Sequence, residues 1–307
     1  GVRARVAESN GGARSNGGMG ELAPGGTRTE EPGGRPAVAL DGRGGRAVVA
    51  TTGAQVLSWH APDGDVLWTA SEPEYAPGKP VRGGVPVVFP WFGEHHGAPD
   101  LPAHGFARAL AWEVVGAGAG PRVVLAVTDD PDTRRMWPHA FRLELAVDLA
   151  RGLELALTVT NTGDDPCTFE EALHSYFAVG DVRTASVHGL EDVPCVEHAR
   201  DPEEAWDPAA PLRFRAETDR VFQGVPDELV LRAPALGRDV RLTTQDARSA
   251  IVWNPWPKKT ARLSQMAPDD WQRFCCIESA NVREHAVTLA PGTRHTLRLT
   301  LASAAHG

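Results

Sequence analysis

The chain has 307 residues, a mass of 32.8 kDa, 42% hydrophobic and 23% charged residues, and a formal charge of −9 with a pI near 5.7. That length holds one large all-β domain or two average ones, and the apolar content excludes a wholly disordered chain. The acidic balance excludes a nucleic-acid partner, which needs a basic face, and an anionic ligand would have to be met by cations gathered locally.

Residues 1–36 contain ten glycines among Ser, Asn, Pro and Glu. Such a stretch buries too little apolar surface to offset its ordering entropy, which predicts a disordered segment whose deletion leaves stability and rate unchanged. Arg3 and Arg5 are followed by no apolar run of the secretory kind, and nowhere do 18 apolar residues follow one another. The expected location is the cytoplasm, with no membrane partner.

From Ala37 to the end at Gly307, short apolar runs alternate with turn residues, which reads as a single domain. The clearest element is a hairpin. Leu143, Leu145, Val147 and Leu149 alternate with Arg142, Glu144 and Asp148, the chain turns at Arg151-Gly152, and Leu153, Leu155, Leu157 and Val159 alternate with Glu154, Thr158 and Thr160. Period-two alternation on both arms predicts antiparallel strands with one buried face. Val123 to Thr128, Leu229 to Arg232, Ala250 to Trp253 and Thr296 to Leu301 read likewise. Helical periodicity is scarce, and 25 prolines and 32 glycines punctuate the turns. The fold class is all-β, a large antiparallel sandwich or barrel with few short helices.

Four segments depart from ordinary strands and loops. Lys79 to Gly93 places Arg82 beside Gly83 and Gly84, and Leu101 to Arg108 places Arg108 just after a His104-Gly105 pair. Glycine lets backbone approach a ligand, and two converging guanidiniums match phosphate oxygens bidentately. Structural or surface ion-pair arginines fit the same spacing, so both readings stand. In Glu170 to Phe177, His174 lies in an apolar run, as a hydrogen-bonded core residue or as an acid–base catalyst. In Arg273 to Ser279, Glu278 ends a Phe-Cys-Cys-Ile strand, where a carboxylate needs a partner or a function. Asp219 lies near a strand start, and Trp253 and Trp256 flank a turn, as core aromatics or as a flat face for a sugar ring.

The four cysteines, Cys167, Cys195, Cys275 and Cys276, show no CxxC spacing and read as reduced thiols, with adjacent Cys275 and Cys276 on opposite faces of a strand. His95-His96 falls in a Gly-rich loop and reads as solvated, so no metal is assigned. No P-loop, nucleophile elbow, HExxH or strand-to-helix GxGxxG occurs.

Taken together, the strings VRGGVPVVFPWFG, LPAHGFAR, EALHSYF, TDRVFQ, IVWNPW and CCIESANV resemble, in order, those of the glucose-6-phosphate 1-epimerase (hexose-6-phosphate mutarotase) family of the galactose-mutarotase-like superfamily. The resemblance spans roughly residues 37 to 303. It implies a β-supersandwich without metal or organic cofactor and a phosphosugar substrate; the expected state is a monomer. The resemblance also implies His174 and Glu278 as the catalytic pair, Arg82 and Arg108 as substrate contacts, Asp219 as an active-site acid and His104 as a residue of the site; Trp256 is nominated beside them as a substrate contact from its place at the turn. One departure is Ala103, where some members carry Gln before the His-Gly, and this leaves the preferred sugar open.

The implied chemistry is mutarotation. A base takes the proton of the anomeric hydroxyl, an acid protonates the ring oxygen, the aldehyde rotates, and the ring closes on the other face. Glu278 as base and His174 as acid suit it. Three other functions compete. An epimerase of unphosphorylated sugars would lack the arginine clamp, and a non-catalytic carbohydrate-binding sandwich would need no His–Glu pair. A glycosidase would need two carboxylates about 5–9.5 Å apart.

Overall fold

A computed structural model describes residues 21–23, 26–117 and 120–306. The expectations for residues 1–20 lie outside the described residues. Residues 26–36 depart from the predicted disorder. Gly26–Glu30 is a strand paired in antiparallel register with Pro36–Leu40, and Glu31 and Arg35 form a buried ion pair. The sequence signal misleads here because the stabilisation lies in one salt bridge and in backbone ladders, neither of which needs large apolar side chains.

The architecture is β throughout, and the described residues hold only two short α-helices, Pro131–Met136 and Trp256–Thr260. None of them is long and apolar enough to cross a membrane. An antiparallel meander of six strands runs from Glu21 to Asp65 and leads into the two sheets that face each other. The larger has nine strands. At its centre the predicted hairpin forms as Phe141–Asp148 against Leu153–Asn161, with Leu143 opposite Val159 and Val147 opposite Leu155. Its alternating side chains are buried on one face, as period two requires.

The second sheet has six strands in the order Cys195–Glu197, Thr218–Gln223, Ser249–Asn254, Phe274–Asn281, Glu171–Ala178, Val87–Val88. Its strands Glu171–Ala178 and Phe274–Asn281 do not alternate in burial, and almost every residue is inside. That is the signature of strands covered on both faces. Leu173, Phe177, Cys275, Ile277, Val252 and Phe222 point into the main core, shared with Leu143, Leu157 and Leu299 of the large sheet. On the opposite face, Tyr176 and Cys276 pack under Trp68 and Met266, while Ala172, Val221, Ile251 and Ala280 pack under Val88 and Val282. Cys275 and Cys276 therefore face opposite ways, and all four cysteines are free.

Candidate active site

Between those two apolar patches, the outer face of the six-stranded sheet turns polar. His174 and Glu278 are register partners on adjacent antiparallel strands, so the ladder itself places both side chains on one face. His174 Nε2 stands 3.4 Å from Glu278 Oε1, and both residues are buried, at 6% and 2% exposure. Nδ1 of His174 and Oε2 of Glu278 have no hydrogen-bond partner among the described residues. Two strands further along, Asp219 is opposite Trp253 and Trp253 opposite Cys276, so period two brings Asp219 and Trp253 to the same face.

These side chains floor a cavity of about 350 Å3 whose lining includes Arg82, His104, Arg108, His174, Asp219 and Glu278. A second chamber of about 220 Å3 adjoins it, sharing Arg82, Arg108 and Tyr176 and adding Lys79, Ser264 and Gln265. The two arginines thus stand where the chambers meet. Arg108 folds back so that one terminal nitrogen donates to Ala103 O at 2.8 Å, and Arg82 Nε donates to Ser264 O at 2.9 Å. Lys79 pairs with Glu74 at the outer rim.

The two loops that bring the arginines are built by close backbone approach. Gly105, at φ +73°, lies so near Phe89 that a Cβ would stand 2.0 Å from its carbonyl oxygen; Gly84, at φ +57°, is as close to Val56 O. Only glycine fits either place. His104 is also left-handed at φ +64° and is gripped reciprocally: its amide donates to Gly93 O, and the Gly93 amide donates to its Nδ1. Its ring stands edge-on to His174, with centroids 5.5 Å apart.

Burial governs the charge states. It pushes the Glu278 carboxyl well above its ordinary range, Asp219 adds to the rise, and Arg108 opposes it. It holds the His174 imidazole well below its ordinary value, with His104 and Arg108 adding to the fall. His104 is pushed down to about 3 by burial, then by Arg108 and Arg82. Asp219 is raised by burial and pulled back by Lys259. Burial therefore favours the uncharged form of both groups, because separating charge where water is excluded is costly.

Of the seven residues singled out in the sequence, six line the cavity: Arg82, His104, Arg108, His174, Asp219 and Glu278. Trp256 does not. It follows the strand, begins the short helix Trp256–Thr260, and packs its ring on Trp271 at 4.5 Å. Trp253 takes the wall instead, because it still belongs to the strand and points with Asp219. Tyr176 and Lys259 were not read from the sequence. Tyr176 lies two residues after His174, so period two puts its ring parallel beside the imidazole, with centroids 4.9 Å apart. Lys259 reaches Glu217 at 3.2 Å and Asp219 at 3.7 Å from the short helix, and no local pattern announced it.

The sequence pattern of a family described as aldose 1-epimerase matches residues 36–302. A protein of Escherichia coli K12, provisionally named glucose-6-phosphate 1-epimerase, is 33% identical over 243 residues, covering 78% of this chain and 81% of its own. One of Cenchrus ciliaris with the same provisional name is 30% identical over 264 residues, covering 82% and 79%. The crystal structure of a Salmonella typhimurium protein, provisionally named a mutarotase, superposes with a TM-score of 0.83 at 26% identity, over 94% of this chain and 97% of that one.

Proposed function

The chain belongs to the aldose 1-epimerase family, and from that premise we propose that it interconverts the α and β anomers of a hexose 6-phosphate, glucose 6-phosphate foremost. The observation that carries this reading is the His174–Glu278 contact of 3.4 Å on the floor of a cavity walled by two guanidiniums. The anomeric hydroxyl and the ring oxygen sit on one carbon. An acid and a base this close serve both oxygens at once.

In the forward direction Glu278 takes the hydroxyl proton and His174 gives its proton to the ring oxygen as the C1–O5 bond breaks. Rotation about C1–C2 turns the aldehyde, and closure reverses both transfers. The pair needs one proton in total. Burial favours the proton on Glu278, and the negative charge of a bound phosphosugar favours the imidazolium that the reaction needs. Each transfer typically contributes about 10²–10⁴-fold, and neither requires a metal, nucleophile or redox carrier. Asp219 and His104 meet sugar hydroxyls, while Arg82 and Arg108 meet the phosphate against the chain's overall charge of −9.

The test is anomer exchange followed by NMR on glucose 6-phosphate, glucose and galactose. Arg82→Ala and Arg108→Ala should each cost about 10- to 150-fold in kcat/KM on the phosphosugar and spare free glucose, a charge-assisted hydrogen bond being worth roughly 1.5–3 kcal/mol. Equal losses on both substrates would mean that the arginines orient the sugar or the fold, and the phosphate contact would have to be sought elsewhere, with Lys79 next. Near wild-type exchange in His174→Ala or Glu278→Gln would remove that residue from the mechanism, whereas a wild type that binds sugar without exchanging anomers, and variants that keep that binding, would favour a carbohydrate-binding sandwich.

A further inference from the structure

Arg82 belongs to a stretch, Pro80 to Gly83, that lies in none of the named strands. Backbone groups away from water still need partners, and outside a sheet they must find them elsewhere. Part of the need is met by backbone, with Ala70 N donating to Arg82 O at 2.9 Å and Gly83 bridging to Thr69, and two glutamine side chains act as surrogate peptide groups for the rest. Gln55, 1% exposed, donates from Nε2 to Val81 O and Gly83 O, both at 2.7 Å, and its Oε1 accepts from Val81 N at 3.2 Å. From the other side, Gln265 Oε1 accepts from Arg82 N and Glu74 N, both at 3.0 Å, and its Nε2 donates to Pro80 O at 3.3 Å.

Gln265 stands at φ +68°, uncommon for a residue other than glycine, so its surroundings hold it there. Its own carbonyl accepts from Glu72 N at 3.1 Å. The neighbouring Ser264 carbonyl takes Arg82 Nε, which leaves the two terminal nitrogens of the guanidinium without a protein partner among the described residues. The loop that grips the Arg82 backbone is also the one that aims its side chain, and both residues line the chamber shared with Arg108.

We infer that Gln265 is a positioning residue for the anion end of the site: its carboxamide, bridging Pro80 O and Arg82 N, sets where the Arg82 guanidinium stands relative to Arg108. The inference rests on the phosphate reading above. Gln55 shares the task, but it is buried and bonded on two sides, so Gln265 is the residue to test.

Gln265→Gly removes the carboxamide while accepting the left-handed backbone without strain. It should raise KM for glucose 6-phosphate about 3- to 10-fold, the scale of one or two hydrogen bonds, and leave kcat and free-glucose exchange unchanged. Gln265→Glu keeps the acceptor but sets a carboxylate beside the anion subsite, and should raise KM further. In an Arg82→Ala background Gln265→Gly should add nothing, because it acts through Arg82. A full additional effect in that background, or equal losses on glucose, overturns the inference and makes Gln265 a structural residue only. If Arg82→Ala itself costs both sugars alike, the phosphate reading of the arginines falls and this one falls with it. If Arg82→Ala is phosphate-selective and neither Gln265 variant is, only the inference falls. Should Gln265→Gly not fold, Gln265→Asn, which keeps a neutral carboxamide and tolerates the left-handed backbone but withdraws it from Pro80 O and Arg82 N, decides by the same KM comparison.

Discussion

At the scale of the residue, the site is defined by where a single proton rests. Glu278 is held high and His174 low, so in kcat/KM, which reports the free enzyme, the alkaline limb belongs to the carboxyl and the acid limb to the imidazole. Asp219 is the largest charge raising Glu278. Asp219→Asn should therefore move the alkaline limb to lower pH while the acid limb moves less. An alkaline limb that stays in place would remove Glu278 from that assignment. The same shift has a stability counterpart. A carboxyl whose folded pKa is raised contributes stability below its unfolded value near 4.5, and that contribution is lost as pH rises through the folded pKa. Glu278→Gln should cut kcat about 10²-fold or more and yet melt higher than wild type at pH 7, with the gap narrowing toward pH 4.5. A variant melting lower at pH 7 would mean that the carboxylate is stabilised by something other than the groups seen here.

At the scale of the element, strand period did most of the placing. His174, Tyr176, Glu278, Trp253 and Asp219 share a face because β-strands alternate and adjacent antiparallel strands keep register. The hairpin over residues 141–161 was readable because one of its faces is exposed enough for alternation to show. The strand carrying His174 was readable only as apolar, since both its faces are covered. Where the strand ends, the pattern stops informing, which is why Trp256 was misplaced and Lys259 missed. Asn254 makes that junction. Buried, it donates from Nδ2 to Trp271 O and Phe274 O, both at 2.8 Å, and accepts from Trp256 N at 3.0 Å. Asn254→Ala should destabilise on the order of 1–3 kcal/mol by stranding those groups. It should also reduce exchange on phosphorylated and free sugar alike, because it disturbs Trp253 and Lys259 and not the arginines. A phosphate-selective loss would show that the junction also sets the arginine end.

At the scale of the whole molecule, residues 26–36 form structure where the sequence suggested none. Arg35 sits beside Glu31 and also donates to Ala76 O at 2.6 Å and Lys79 O at 2.8 Å, so it braces the segment that leads to Arg82. A chain beginning at Ala37 should lose several degrees in melting temperature and bind phosphosugar more weakly. Unchanged melting and unchanged KM would restore the expectation that residues 26–36 are dispensable.

By itself the sequence determined the all-β class, the hairpin and the order of six short strings, from which six of the seven nominated residues proved to line one cavity. Those features are local: alternation and glycine placement are written in consecutive residues. Tertiary structure alone decided which residues meet. The 3.4 Å contact joins residues 104 positions apart, and the grip of Gln265 on Arg82 spans 183. Burial, which sets the charge of Glu278 and His174, depends on what covers the outer face of the sheet. No window of sequence carries that information, because desolvation is a property of the packed neighbourhood and not of the chain.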